Sequence, residues 1–136
     1  MGRILAIDYG RKRVGLAVTD ELKMIATALD TVSAVDLLDY LKKYVSENKV
    51  ECFVVGEPKQ MNNLPSESEI YIQPFLRKLR KEFPDIPVKR TDERFTSLIA
   101  TRAIRESGLK KKDRQNKALV DKMSAVLILQ SYMESI

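Results

Sequence analysis

Apolar residues fall first into short unbroken runs and later into helical stripes. Arg3 to Ile7 is a short apolar run, the pattern of a strand buried on both faces. Tyr9-Gly10-Arg11-Lys12 reads as a turn, and Val14 to Val18 as a second strand. After the polar turn Asp20 to Lys23, Met24 to Val32 reads as a third. Turns this short join antiparallel neighbours. The period then changes. Ser33 with Asp36 three residues on has the spacing of a capping box, with Asp in place of Glu. Leu37, Leu38, Leu41, Tyr44 and Val45 follow at helical spacing. Val50 to Val55 is another buried strand, stopped by Gly56 and Pro58. Ser66 and Glu69 can cap a helix striped by Ile72, Phe75, Leu76, Leu79 and Phe83. Pro74 inside that stripe predicts a kink or a late start. Ile86 to Thr91 is a fifth strand. Thr96 or Ser97 caps a short helix ending near Gly108, and the basic segment Lys110 to Lys117 leads into a final helix running to about Ser135.

The predicted order is βββ-α-β-α-β-α-α. Short turns make the first three strands antiparallel, and each later strand arrives after a helix, which favours parallel crossovers. The expected architecture is α/β: a mixed five-stranded sheet flanked by helices, similar to the RNase H-like fold. With 136 residues and neither repeat nor linker, a single domain over residues 1–136 is expected. Topology alone does not give function.

Composition narrows the chemistry. The chain has no histidine, which removes Ser-His and Cys-His nucleophile pairs and His-based metal sites. Its one cysteine, Cys52, can form no internal disulfide and is expected to lie buried and inert on its strand. Neither a Walker loop nor a GxGxxG run occurs. Carboxylates, lysine, tyrosine and a bound hard metal remain. The net charge of +5 is compatible with a polyanionic partner without demanding one. The opening residues do not read as a signal peptide, and no apolar stretch approaches the roughly 20 residues that span a membrane. A soluble cytoplasmic protein is the default expectation.

Several carboxylates sit where a plain core does not call for them. Asp8 directly follows four apolar residues at the end of a central strand, near the rim where ligands bind in open α/β sheets. The alternative is a turn-forming Asp in Asp8-Tyr9-Gly10, bonding the backbone two residues on. Asp121 has Ala125, Ile128 and Tyr132 as same-face neighbours on the last helix. A carboxylate on that apolar face is costly unless paired, protonated or bound to metal; the alternative is an Asp held by the helix dipole or a lysine. Thr91-Asp92-Glu93-Arg94 ends the fifth strand and by itself reads as a surface turn. Glu57 ends the fourth strand, a position that carries an active-site carboxylate in many RNase H-like nucleases, and could equally be a solvated loop residue. Together, Asp8, Glu57, Asp92 or Glu93, and Asp121 can meet at one rim of the sheet. An all-oxygen ligand set suits Mg²⁺ or Mn²⁺.

Ile7-Asp8-Tyr9-Gly10 with Arg13-Val14-Gly15-Leu16-Ala17 resembles the opening of the YqgF family, whose members are described as Holliday junction resolvases and as pre-16S ribosomal RNA nucleases. Thr91-Asp92-Glu93-Arg94-Phe95-Thr96-Ser97 resembles its second motif, and the run from Asp121 to Gln130 its third. The resemblance covers Arg3 to about Tyr132. It implies Asp8, Glu93 and Asp121 as the catalytic, metal-holding set; Asp92 or Glu57 remain further metal candidates from their strand-end positions. It favours Glu93 over Asp92, and the Glu57 position is commonly apolar in the family. The segment Gly56 to Ser66 departs from the glycine-containing loop common there, and Ser124 stands where a second Ala is common.

The resemblance implies a metal-dependent endonuclease that hydrolyses phosphodiester bonds of structured nucleic acid. Its substrate is precursor 16S rRNA, at the 5′ end, or a branched DNA junction, and the protein is a monomer or homodimer. Arg11, Lys12, Arg13 and Arg94 are candidate phosphate contacts, as are Lys110, Lys111, Lys112, Arg114 and Lys117, read as an arm touching the backbone. Tyr9 can stack on a base, although a Tyr in a turn usually packs. Lys78, Arg80 and Lys81 read as a solvated helix face. Two other classes compete. One is a non-catalytic RNA-binding ribosome-assembly factor, which predicts binding without metal-dependent cutting. The other is a phosphotransferase of the sugar-kinase type, which needs two such domains.

Overall fold

The computed structural model describes residues 2–57, 69–92 and 117–135, with the backbone alone for Asp92 and for residues 117–122. The elements are β1 (Arg3–Tyr9), β2 (Arg13–Thr19), β3 (Ala26–Ser33), α1 (Leu37–Glu47), β4 (Val50–Glu57), α2 (Glu69–Glu82), β5 (Val88–Asp92) and α3 (Lys117–Ser135). The short helix expected between Thr96 and Gly108 lies outside the described residues.

The five strands form one sheet in the order β3-β2-β1-β4-β5. β2 is antiparallel to both β1 and β3, whereas β1, β4 and β5 are parallel. This is the mixed sheet the connection lengths predict. β1 is central because Ile4, Leu5, Ala6 and Ile7 are all buried, and only a strand covered on both faces can hide consecutive apolar residues. Its start is tied down by a side chain: the Ile4 backbone N–H donates to Thr19 Oγ1 at 2.9 Å.

Alternation divides the core in two. Leu5, Ile7, Val14, Leu16, Phe53 and Val55 pack with Leu37 and Leu41 of α1 and with Ile72, Phe75, Leu76 and Leu79 of α2. Ile4, Ala6, Ala17, Cys52 and Val54 form the opposite face, covered by Ala125, Ile128 and Leu129 of α3. The Cys52 thiol and the Tyr132 hydroxyl are hydrogen-bonded there, and burial pushes both above their ordinary pKa values.

Four local details differ from the sequence reading. β1 does not stop at Ile7; Asp8 and Tyr9 remain in the ladder, opposite Gly15 and Val14. β3 starts at Ala26 rather than Met24, because Asp20 Oδ1 accepts the backbone N–H groups of Met24 and Ile25 at 2.8 and 3.0 Å and holds them in the turn. Ser33 and Asp36 do not close the reciprocal box: Ser33 Oγ accepts the Asp36 N–H at 3.2 Å, but the Asp36 carboxylate takes the Ser33 hydroxyl at 2.8 Å instead of a backbone donor. α2 runs from Glu69 through Pro74 without a late start. Proline there forfeits a bond to the carbonyl of Ile70, which sits on the exposed side where water can serve it.

Candidate active site

Asp8 occupies the second-last position of the central strand and is half-buried. Alternation from Ile4 and Ala6 puts it on the α3 face. Its neighbours across the sheet are small: Gly15 is its partner on β2, and Gly56 follows Val55, the β4 partner of Ile7. Neither neighbour sets a side chain against the carboxylate, and both glycines are buried. Arg13, two residues before Gly15 on β2, alternates to the same face.

The direction of α3 determines which of its residues can reach this end. Tyr132, near its end, touches Cys52, which pairs with Ile4 low on β1. α3 therefore runs back along the sheet against β1. From Tyr132 to Asp121 the helix rises about 16 Å at 1.5 Å per residue. From Ile4 to Asp8 the strand advances about 13 Å at 3.3 Å per residue. Asp121 lies one turn before the buried Ala125, towards the end of β1 that carries Asp8. The side chains of Asp121 and Asp92, and Glu93 altogether, lie outside the described residues.

Glu57 does not join Asp8. Phe53 and Val55 face α1 and α2, so Glu57, two further on, belongs to that face. It stands 4.0 Å from the Arg90 guanidinium. Asp92 is the register partner of Glu57 on β5. Among the described residues no three carboxylate or thiol side chains form a group able to hold a metal. Of Asp8, Glu93 and Asp121, Asp8 alone has a described side chain. The donors available are carboxylate oxygens, which fit a hard divalent cation and not a soft one.

Arg90 is a residue that the sequence reading passed over. Its guanidinium donates to Val55 O at 3.2 Å, Gly56 O at 2.9 Å and Glu69 Oε1 at 2.6 Å. It ties the carboxyl end of β4, beside Asp8, to the start of α2. Burial alone would raise the Glu69 carboxyl, but the bonds from Arg90 and Gln73 outweigh it and hold the group below its ordinary value. No local signal marked it: Lys89 beside it on the same short strand is exposed, and only the register with β4 separates the two.

Of the expected phosphate contacts, Arg11, Lys12 and Arg13 are exposed at the β1–β2 hairpin. Arg11 turns to the α2 side, its guanidinium 4.5 Å above the Tyr71 ring. Tyr9 packs, as a hairpin Tyr usually does, stacked on Phe75 at 4.4 Å. Arg94, Lys110, Lys111, Lys112 and Arg114 lie outside the described residues, and Lys117 is described in backbone only. Among the described residues, no helix is long and apolar enough to cross a membrane.

The protein is similar over its whole length to a *Phocaeicola vulgatus* protein named "Putative pre-16S rRNA nuclease", with 61% identity over 135 residues, covering 99% of this chain and 97% of that one. A *Porphyromonas gingivalis* protein of the same name is 58% identical, with 99% and 98% covered. Two solved structures share the fold. One is the Fowlpox virus resolvase in complex with Holliday junction DNA, with a TM-score of 0.59, 15% identity, and 98% and 97% of the two chains covered. The other is *T. thermophilus* RuvC in complex with a Holliday junction substrate, with a TM-score of 0.56, 18% identity, and 99% and 96% covered. The mixed five-stranded α/β fold expected from the sequence is thus one that both structures share. With residues 2–135 matching the family described as RuvX, Holliday junction resolvase, the chain belongs to that family.

Proposed function

We propose that the protein is a metal-dependent endonuclease that hydrolyses phosphodiester bonds of structured nucleic acid, and that its substrate is the 5′ region of precursor 16S rRNA. The observation that carries this reading is Asp8: a half-buried carboxylate at the second-last position of the central strand, flanked by Gly15 and Gly56, on the face that α3 covers. The names of the highly similar relatives favour RNA over a branched DNA junction.

Asp8, Glu93 and Asp121 are the residues that would hold Mg²⁺ or Mn²⁺. Such ions supply charge stabilisation at the phosphate and an acidified water. The chain's own contribution is placement. β1 is buried and paired on both sides, so Asp8 has little freedom to move. Gly15 and Gly56, its neighbours on β2 and β4, set no side chain against it. Arg13 on the same face, with Lys12 at the hairpin, offsets phosphate charge. The chain has no imidazole, so proton transfer falls to carboxylates and water.

The test is incubation of the protein with precursor small-subunit RNA and with a synthetic four-way junction, with Mg²⁺ or Mn²⁺, beside Asp8→Asn. Wild-type protein should cut the RNA only with the metal, and Asp8→Asn should melt normally without cutting. Undiminished cutting by pure Asp8→Asn would refute the mechanism. Metal-independent binding with no cutting by wild type would favour an assembly factor.

A further inference from the structure

On the face of the sheet opposite Asp8, but at the same end, lies a groove of about 470 Å³. Its floor is the stacked pair Tyr9 and Phe75. One wall is Val35, 91% exposed, at the junction of β3 and α1. The other is Tyr71, 40% exposed, with the Arg11 guanidinium stacked on its ring and Lys78 one groove-length along α2. None of its described lining residues is acidic.

We propose that this groove binds an unpaired polynucleotide strand flanking the paired part of the substrate, one base stacking on Tyr71 and its phosphates meeting Arg11 and Lys78. Each part follows from the chemistry present. An exposed aromatic ring already stacked by a planar cation is a platform that accepts any flat π-system, and bases stack on tyrosine and on arginine planes alike. Two cations without a carboxylate select a polyanion. A duplex cannot use the site, because its bases are already stacked on one another. Asp8 and Tyr9 are consecutive residues of β1 with opposite faces, so a strand leaving Asp8 reaches the groove by rounding the tip of the β1–β2 hairpin. The proposal rests on the nuclease reading only for the identity of the polyanion, and it assigns that enzyme a preference for substrates with a single-stranded flank.

The test is anisotropy binding in EDTA, where nothing is cut, with a labelled RNA hairpin, the same hairpin carrying a short unpaired 5′ extension, and a hairpin with a DNA extension. For wild type the RNA extension should tighten binding by on the order of ten-fold. Tyr71→Ala should lose most of that gain and bind the blunt hairpin as before, while Tyr71→Phe keeps it. Lys78→Gln should reduce the salt slope for the extended probe by about one. A gain from the DNA extension too makes the groove a general single-strand site; a gain from RNA alone restricts it to RNA, and both support the proposal. Equal wild-type binding of blunt and extended hairpins, or an equal loss on both in Tyr71→Ala, overturns it. Thermal melts of each variant exclude misfolding as the cause. Cutting assays with Asp8→Asn decide the nuclease reading separately, so either idea can fail while the other stands.

Discussion

Replacing Arg90 by Met should loosen the end of the sheet that carries Asp8. The change keeps most of the apolar stem and removes three hydrogen bonds, of 3.2, 2.9 and 2.6 Å, to Val55 O, Gly56 O and Glu69. The two charged side chains are mostly buried, 17% and 14% exposed, so water replaces the lost bonds poorly. Glu69 keeps Gln73 as a donor at 2.8 Å, which softens the loss. Charge-assisted bonds are worth about 1.5–3 kcal/mol each when measured singly, and they are not additive within one cluster. The expected cost is about 2–4 kcal/mol, below that of stripping a partner from a fully buried pair. For a chain of this size that is a fall in melting temperature of roughly 10 °C. Urea unfolding followed by circular dichroism measures it, and a double-mutant cycle with Glu69→Gln isolates the pair at about 1–2 kcal/mol. The pH dependence has a definite sign. The folded Glu69 carboxyl lies below its ordinary value of 4.5, so its contribution is complete above that value and disappears as pH falls through the lower folded one. The gap between wild type and Arg90→Met should therefore narrow on acidification towards pH 3, leaving the two carbonyl bonds. A cost under about 0.5 kcal/mol at neutral pH, or a gap that does not narrow, would show that the cluster does not hold this end together.

Three further substitutions have expected outcomes. Ser124→Ala should stabilise the protein by about 1 kcal/mol in urea unfolding, because the Ser124 hydroxyl is buried and has no partner among the described residues; a loss of stability would reveal a partner. Gly10→Ala should destabilise by about 1–3 kcal/mol, since a Cβ there would lie 2.5 Å from the Arg13 carbonyl oxygen, a backbone atom held in the hairpin; an unchanged urea midpoint would count against that packing. Ile128→Ala should cost about 2–5 kcal/mol by leaving a cavity between α3 and the sheet, and a cost below 1 kcal/mol would mean that α3 collapses onto the gap.

The architecture was legible because the signals were long or repeated. Four consecutive buried residues in β1 and the heptad-like stripe of α1 read as strand and helix without tertiary information. Short connections gave the sheet its antiparallel half. Asp8 was legible for the same reason, as a charge at the end of such a run. Boundaries were less so, because side-chain bonds decide them: Asp20 shortens β3 at its start, and pairing with Gly15 carries β1 past Asp8. The place of Glu57 was not legible from its position at a strand end. Only the register with β1 and the contact with Arg90 reveal its face, and a shift of one residue would have reversed it. The Arg90 cluster depends on Glu69, 21 residues away in sequence, a pairing no local pattern announces.

The two faces of the sheet are unequally built. Leu5, Ile7, Leu16 and Phe53 interlock with α1 and α2, whereas Ala6, Ala17 and Ala125 meet across the α3 side. The alanines let α3 settle close against the sheet, while Ile4, Val54, Ile128 and Leu129 supply most of that face's apolar area. In amide exchange β1, covered on both faces, should be among the last segments to open. A carboxylate carried on such a strand keeps its position through fluctuations that open less protected parts of the fold.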